Sequence, residues 1–569
     1  MCYGRPVAQR NPFVVSRNVA SSAELGRPQY VSYVLFACTL ILSAIAICHG
    51  ITLGEFSYNT DESQHAASGL FYASLMRDHP VHPVEYTYRY YAQYPALSGV
   101  VHWPPVYYCM EGAFFLLFGP SVVVARLSIL FFTLIALTFW LLLVQDLLGT
   151  WIAALATILL ATLPSVLLLE KAVMLELPVL AFIMASTYFW FRYLNRERRI
   201  DIFLAAFLAG MALLTKQTAI YLVPFFVISA VWIKGWRWLL RAEMMWAATL
   251  TLAMVAPYYG LVFKLHWKTV AMDLGDPHPA AGDFLFYGKA LFEQLGWAIF
   301  SLSCLGALVG RRWSSPTGSR LMVSWMLSCW LTMTLIGHKE GRYGIYLVPP
   351  AVYFVAGLLL SYFRGPRLRP MAAVAAVCLA AISLVGAWRY QRPYISGYAA
   401  VARDITQSSA SGVVLFDGKL PANFIFFLRA NDPGRHFLVL RKALFAMRVK
   451  RRAEVVELVH NMDDLQKVVS DYGVTYFVVS EGIPLQFPPQ QILRDYLKTS
   501  AVTEVGRFPL TGDGIVYRNS SLVLYRTVKP VSPASLDLKI RMLTLDHDIS
   551  VRLSDLGLDG DSVKDAPRP

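Results

Sequence analysis

A few stretches of this sequence hold polar residues in combinations able to do chemistry. The first, GEFSYNTDESQHAASGLFY (54–72), sets Asp61 beside Glu62, with His65 four positions after Asp61. A carboxylate there can take a proton from a hydroxyl or hold a divalent cation through hard oxygen ligands. If DESQHAASGLFYASLM is helical, Asp61 and His65 project from one face. The competing reading makes Asp61 a helix N-cap and His65 a surface residue. The second stretch, LLLEKAVMLELPVLAF (167–182), places Glu176 among apolar neighbours. An ion at the edge of hydrocarbon is costly unless it is paired or lines a polar cavity. Pro178 suits the first turn of a following helix. The third, GHKEGRYG (337–344), crowds His338, Lys339, Glu340, Arg342 and Tyr343 into one turn. Arginine presents a rigid fork of donors, so this cluster suits a phosphate or pyrophosphate. Contact with lipid headgroups is its ordinary alternative.

Further candidates are weaker in pattern. His102, Trp103 and Tyr107 in HWPPVYY (102–108) also suit an interfacial aromatic belt. Arg126, in VVVARLS (122–128), suits pairing with a carboxylate. Lys216 interrupts the apolar run LLTKQTA (213–219) and reads as a snorkelling side chain. His266, His278 and Asp283 share a loop without metal-ligand spacing.

The elements that must position these residues are membrane helices. Of 569 residues, 56% are hydrophobic and 15% charged, too few charges for the surface of a soluble protein this large. VSYVLFACTLILSAIAICHGITL (31–53) carries no charge. As a helix it spans the roughly 30 Å of a bilayer's hydrocarbon, and it lacks the position and small-residue cleavage site of a signal peptide. The spans expected are 31–52, 122–144, 150–168, 176–194, 201–215, 218–233, 244–264, 291–310, 320–337, 343–363 and 370–387, eleven crossings with a range of 10–13. The pair meeting at Lys216 is the least certain of these by length. The net charge of +14 needs no nucleic-acid partner. Its basic clusters, RYLNRERR (192–199), KGWRWLLR (234–241), RRWSSPTGSR (311–320) and RGPRLR (364–369), all fall on the cytoplasmic side of such a chain. The seven cysteines form no CxxC pair and read as small apolar residues.

Charge alternation then puts the loop 54–121, the turn at Glu176, the loop 265–290 and the GHKEGRYG turn on one non-cytoplasmic face. Segment 104–119 lies on that face without crossing. A cytoplasmic segment (1–29) precedes the membrane module (30–390). Strand-like runs at 412–418, 423–429, 436–441, 475–480 and 521–526, with a helix-like run at 463–473, predict a soluble α/β domain over 391–529 outside the membrane. Residues 530–569 read as a loosely ordered tail in which 535–545 has strand or helix character.

In order and placement, YNTDESQHA, HWPPVYY with VVVARLS, KAVMLELPVLAF, LLTKQTAIYLVP and GHKEGRYGIYLVPP resemble the membrane-embedded GT-C type glycosyltransferases that use polyprenyl-phosphate sugars. These include the protein O-mannosyltransferases and the aminoarabinose transferase of lipid A. The resemblance covers roughly residues 30–390 and implies inverting transfer, with Asp61 as the base toward an acceptor hydroxyl. It implies Glu62 as the second of paired acids, and Glu176 as the later acid that positions a metal or the acceptor. Arg126, Arg342 and Tyr343 match positions near the donor phosphate, with Lys339 and His338 beside them. His102 stands where the aminoarabinose enzyme carries a lysine, so as a phosphate ligand it lacks a fixed charge. A divalent metal at Asp61 and Glu176 is compatible with the carboxylates but not demanded by them, and no nucleotide cofactor is implied. The partners implied are a polyprenyl-phosphate sugar, membrane lipids and an acceptor glycolipid, polysaccharide or protein, at the periplasmic face of a bacterial inner membrane. The sugar, the acceptor and the oligomeric state are not legible.

Two readings from other classes compete. A transporter would place its charges near mid-membrane, often in two related halves, whereas these collect at one edge without a repeat. A non-catalytic envelope assembly factor would tolerate loss of Asp61.

Overall fold

The computed structural model describes residues 29–58, 60–97, 103–274, 281–309, 316–363, 369–449, 453–529, 537–542, 547–556 and 558. The described part opens with α1 (Gln29–Cys48) and three helices of the first loop, α2 (Thr60–Asp78), α3 (Pro83–Gln93) and α4 (Val106–Phe118). Next come α5 (Val122–Leu148), α6 (Thr150–Thr162), α7 (Pro164–Glu170), α8 (Glu176–Arg196) and α9 (Arg199–Leu213). The membrane module closes with α10 (Leu222–Lys234), α11 (Ala242–Leu274), α12 (Ala281–Leu308), α13 (Pro316–Leu335), α14 (Val348–Phe363) and α15 (Arg369–Arg389).

Each expected span coincides with a helical segment. Among the described residues, seven such segments are long and apolar enough to cross a membrane, or eight if the bent pair α6–α7 is one span. That pair turns by 69° where Pro164 begins α7, because proline cannot continue the preceding hydrogen-bond ladder. α9 has only 15 residues, about 22 Å of helix. The chain is thus a polytopic α-helical membrane protein, and the number eleven stays an expectation from charge alternation. α4, with 13 residues, is the short apolar helix expected to lie along the outer surface. It packs closely on α2 through glycines: a Cβ at Gly69 would collide with the Glu111 side chain, and one at Gly112 with the backbone of Ala73.

The α/β domain holds β1 (Ile395–Ser396), α16 (Tyr398–Ser408), β2 (Gly412–Asp417), α17 (Pro421–Asn431), β3 (Phe437–Leu440), β4 (Phe445–Val449) and β5 (Ala453–Glu457). It continues with α18 (Met462–Tyr472), β6 (Val474–Glu481), α19 (Pro488–Tyr496), β7 (Val502–Pro509), β8 (Thr511–Gly512) and β9 (Ser521–Thr527). Its sheet has the order β3-β2-β6-β9-β7, with β3, β2 and β6 parallel and the other pairs antiparallel. Both faces of β2 are covered. Val414 and Phe416 join one core, and Val413 and Leu415 the other. A doubly buried strand therefore reads as an unbroken apolar run.

The run at 423–429, expected as a strand, is instead the middle of α17. Pro421 starts that helix with its fixed φ, and Ala422, Phe424, Ile425, Phe426 and Leu428 are all buried. Burial on every side erases the helical period that would have marked it. The stretch expected as a tail includes a hairpin, β10 (Asp537–Met542) with β11 (His547–Arg552), whose Leu538, Ile549 and Val551 enter the domain's second core.

Loop and domain share a core. Ala67, Phe71, Tyr90 and Tyr94 from the first loop cluster with Ile395, Tyr398, Val414 and Phe416. Phe56 pairs with Ile395 as an isolated β-bridge, and the Glu55 carboxylate accepts from Tyr398 N and Ala399 N, each at 3.0 Å. A carboxylate at a helix's first amides meets the positive end of its dipole.

Candidate active site

Asp61 and Glu62 occupy the first turn of α2. Consecutive helical residues point about 100° apart, so the two acids face different surroundings. Asp61 meets the turn 337–344: Arg342 Nη1 donates to Asp61 Oδ2 at 2.8 Å. Arg342 Nε also lies 3.4 Å from Glu176 Oε1 and 3.1 Å from Glu340 Oε2. Glu176 opens α8, where an acid suits the helix N-terminus. It is fully buried and paired with Lys216, whose Nζ donates to Oε1 at 2.6 Å. The Lys216 ammonium sits 4.9 Å from the Trp103 ring centre and 4.7 Å from that of Tyr343. Aromatic faces stabilise a cation withdrawn from water, so this lysine is part of the cluster and does not snorkel. His65, buried behind it, shares a hydrogen bond of 2.7 Å between Nδ1 and the Tyr108 hydroxyl. Desolvation pushes its imidazole down to about 4, with Lys216 and Arg342 contributing and Asp61 and Glu176 opposing. His65 is therefore neutral at pH 7.

The structure thus brings together Asp61, Glu176, Arg342 and Tyr343 from three distant parts of the chain, and adds Lys216, Trp103 and His65. The Asp61 side chain is 35% exposed and that of Arg342 17%. Neighbouring members of the same turn go elsewhere. Lys339 approaches Asp283 at 3.5 Å and donates to Ile336 O at 3.0 Å, while His338 is exposed and pairs with Glu340 at 3.1 Å. His102 lies outside the described residues.

Glu62 and Arg126 belong to a second, sealed cluster. Arg126 Nε lies 3.8 Å from Glu62 Oε1, with both side chains fully buried. Arg392 approaches the same carboxylate at 3.4 Å and 3.3 Å. Ser57 N and Val173 N donate to it at 2.6 Å and 3.3 Å. The remaining donors of the two arginines hold the turn before α2. Arg126 bonds the carbonyls of Ile51 and Glu55, and Arg392 donates to Leu53 O at 2.8 Å and Glu55 O at 3.4 Å. Gly54 within that turn has φ +60, and a side chain there would strike Tyr394. Arg126, expected near a phosphate, spends its donors on backbone and Glu62.

Sequence reasoning noticed Lys216 but not its partner, and passed over Arg392 in RYQRPY (389–394). The break in an apolar run was the available signal for Lys216. Arg392 had none, being one basic residue at the end of a span. For a metal, the donor set fits poorly: Asp61 and Glu176 both face Arg342, and Glu176 Oε1 is taken by Lys216. Among the described residues, no three His, Cys, Asp or Glu side chains gather into a metal-holding group.

Comparison with known proteins fits this architecture. A family model described as dolichyl-phosphate-mannose-protein mannosyltransferase matches residues 102–260. No curated protein sequence matches. Among solved structures, ArnT from Cupriavidus metallidurans in the apo state aligns with a TM-score of 0.59 at 14% identity, covering 88% of this chain and 98% of that one. The same protein bound to undecaprenyl phosphate gives 0.57 at 13%, covering 89% and 100%. Arabinofuranosyltransferase AftD from Mycobacteria gives 0.52 at 14%, covering 90% of this chain and 40% of that one. The protein therefore has a GT-C type membrane fold followed by an α/β domain. It resembles ArnT and the mannosyltransferase family in particular.

Proposed function

We propose that the protein is an inverting glycosyltransferase. It moves a sugar from a polyprenyl-phosphate donor to a hydroxyl of a lipid, glycan or protein at the outer, periplasmic face of a bacterial inner membrane. The observation that carries this reading is the contact of a partly exposed carboxylate, Asp61, with a guanidinium, Arg342, in a polar cluster. Undecaprenyl phosphate in the similar ArnT structure supports the donor class.

In this reading Asp61 removes the proton of the acceptor hydroxyl. The oxygen attacks the anomeric carbon, the bond from that carbon to the phosphate oxygen breaks, and polyprenyl phosphate leaves with the electron pair. Arg342 meets the phosphate charge as it develops, with Lys339 and His338 as outlying candidates and His102 as a candidate from the sequence alone. Attack and departure occupy opposite sides of the anomeric carbon, so donor binding inserts that carbon between Asp61 and Arg342. Arg342 then exchanges the carboxylate for the phosphate. Glu176 and Lys216 hold Arg342 in place, and Tyr343 and Trp103 shield Lys216 from water. No step is routed through a metal.

The test is mass spectrometry of polyprenyl-linked sugars in cells lacking the gene. A lipid-linked sugar accumulates in the deletion, disappears on return of the wild type and persists with Asp61→Asn. Absence of accumulation overturns the donor class, and clearance by Asp61→Asn overturns the base.

A further inference from the structure

The sealed cluster beside the site has one cation more than its buried carboxylate needs. Arg126, from α5, already pairs with Glu62 and holds the turn 51–55 from within the membrane module. Arg392 brings a second guanidinium to the same carboxylate, 330 residues further along, from the segment that leads into the α/β domain. Burying an extra charge is costly, so the arrangement is not the cheapest brace for a turn. Its effect is geometric. Arg392 touches both Glu62 oxygens and two carbonyls of the turn, while the following residues are tied to the same loop by the Phe56–Ile395 bridge and the Glu55 cap of α16. Glu62 is bonded to Asp61 by one peptide in the same helical turn. Beside the core that Ala67 and Phe71 share with the α/β domain further along α2, Arg392 thus connects the docked domain to the height and rotation of the α2 N-terminus.

We propose that Arg392 is a positioning residue through which the α/β domain aims the Asp61 carboxylate. This rests on the reading of Asp61 as the base. Arg342, Lys216 and Glu176 sit on other elements and pair with one another, so the phosphate-binding half of the site is held chiefly by contacts that do not include Arg392. The role is therefore expressed in turnover and not in donor affinity.

The experiment uses full-length protein in detergent and two probes: undecaprenyl phosphate for binding, and the lipid-linked sugar extracted from deletion cells for transfer. Arg392→Met is expected to lower kcat about 100-fold, the loss typical of a reacting group displaced by about 1 Å. Its donor KM and its Kd for undecaprenyl phosphate stay within about twofold of wild type. Arg392→Lys restores part of kcat, and Glu62→Gln reproduces the loss. Asp513→Ala, which removes the oxygen that accepts from the Tyr58 hydroxyl and the Tyr394 amide at the same junction, leaves kcat near wild type. Wild-type kcat in Arg392→Met overturns the proposal. So does a parallel loss of undecaprenyl phosphate binding, or an equal loss in Asp513→Ala, since either marks a brace only. If Arg392→Met fails to fold, Arg392→Lys and Glu62→Gln decide by the same split between kcat and Kd. A wild type that neither binds undecaprenyl phosphate nor consumes the extracted lipid overturns the glycosyltransferase reading itself, and this proposal with it.

Discussion

Adjacent residues, Asp61 and Glu62, head two ionic clusters that differ in exposure. In the first, Asp61 and Arg342 keep side-chain exposures of 35% and 17%. In the second, Glu62 and Arg126 have none and Arg392 only 1%. Each cluster mixes carboxylates with cations, so charge alone does not tell them apart. Access does. A sealed carboxylate with four protein partners has no lone pair to spare for a substrate, whereas a half-open one can exchange its partner. A buried ion pair is weak evidence for stability but costly to break, which suits Glu62 to fixing geometry. The open pair suits chemistry.

The sharpest way to break this comparison is to neutralise each head in turn. Asp61→Asn is expected to lower transfer about a thousandfold or more, within the range for loss of a general base, while the protein stays inserted and its thermal midpoint is unchanged. A large drop in that midpoint would make Asp61 structural. The second effect belongs to the sealed cluster. Arg126→Met leaves Glu62 with Arg392 as its guanidinium partner but frees the carbonyls of Ile51 and Glu55, and about 3 kcal/mol of stability is expected to go with it. Thermal unfolding in detergent, beside Asp61→Asn, is the measurement. Equal midpoints for the two variants would erase the distinction between the clusters.

Lys216→Met probes the open cluster from behind. It leaves Glu176 buried with only Arg342 Nε nearby, so Arg342 is drawn toward Glu176 and away from phosphate. Transfer is expected to fall about 100-fold, as for loss of one electrostatic donor, with weaker undecaprenyl phosphate binding. Unchanged binding would remove Lys216 from the site. The smallest effect concerns His65. Its imidazole is held down to about 4 in the folded protein against 6.5 when free. Between those values the unfolded chain binds more protons, so stability falls as pH drops from about 6.5 toward 4. His65→Gln is expected to flatten the thermal midpoint across that window. An unaltered slope would assign the pH dependence to other groups.

Much of the frame was legible because membranes demand it. A helix in hydrocarbon must be apolar along its length, and each expected span coincides with a helical segment. Asp61, Glu176 and Arg342 could be gathered on one face because each sits where an apolar run ends. Segment 423–429 could not be read, because burial on all sides leaves no period to distinguish helix from strand. The division of labour between Asp61 and Glu62 was equally hidden. Neighbouring acids look alike in a string and diverge only when the helix turns one toward Arg342 and the other toward Arg126.

The amino-acid sequence by itself determined the helical membrane module, the α/β domain after it and the short stretches whose charges must be accommodated. These follow from local rules of hydropathy and charge. Only the tertiary structure decided the partners: Lys216 with Glu176, Arg342 with Asp61, and Arg392 with Glu62 from 330 residues away. The physical reason is that ion pairs are set by distance and desolvation in three dimensions, and neither quantity is encoded by position along the chain.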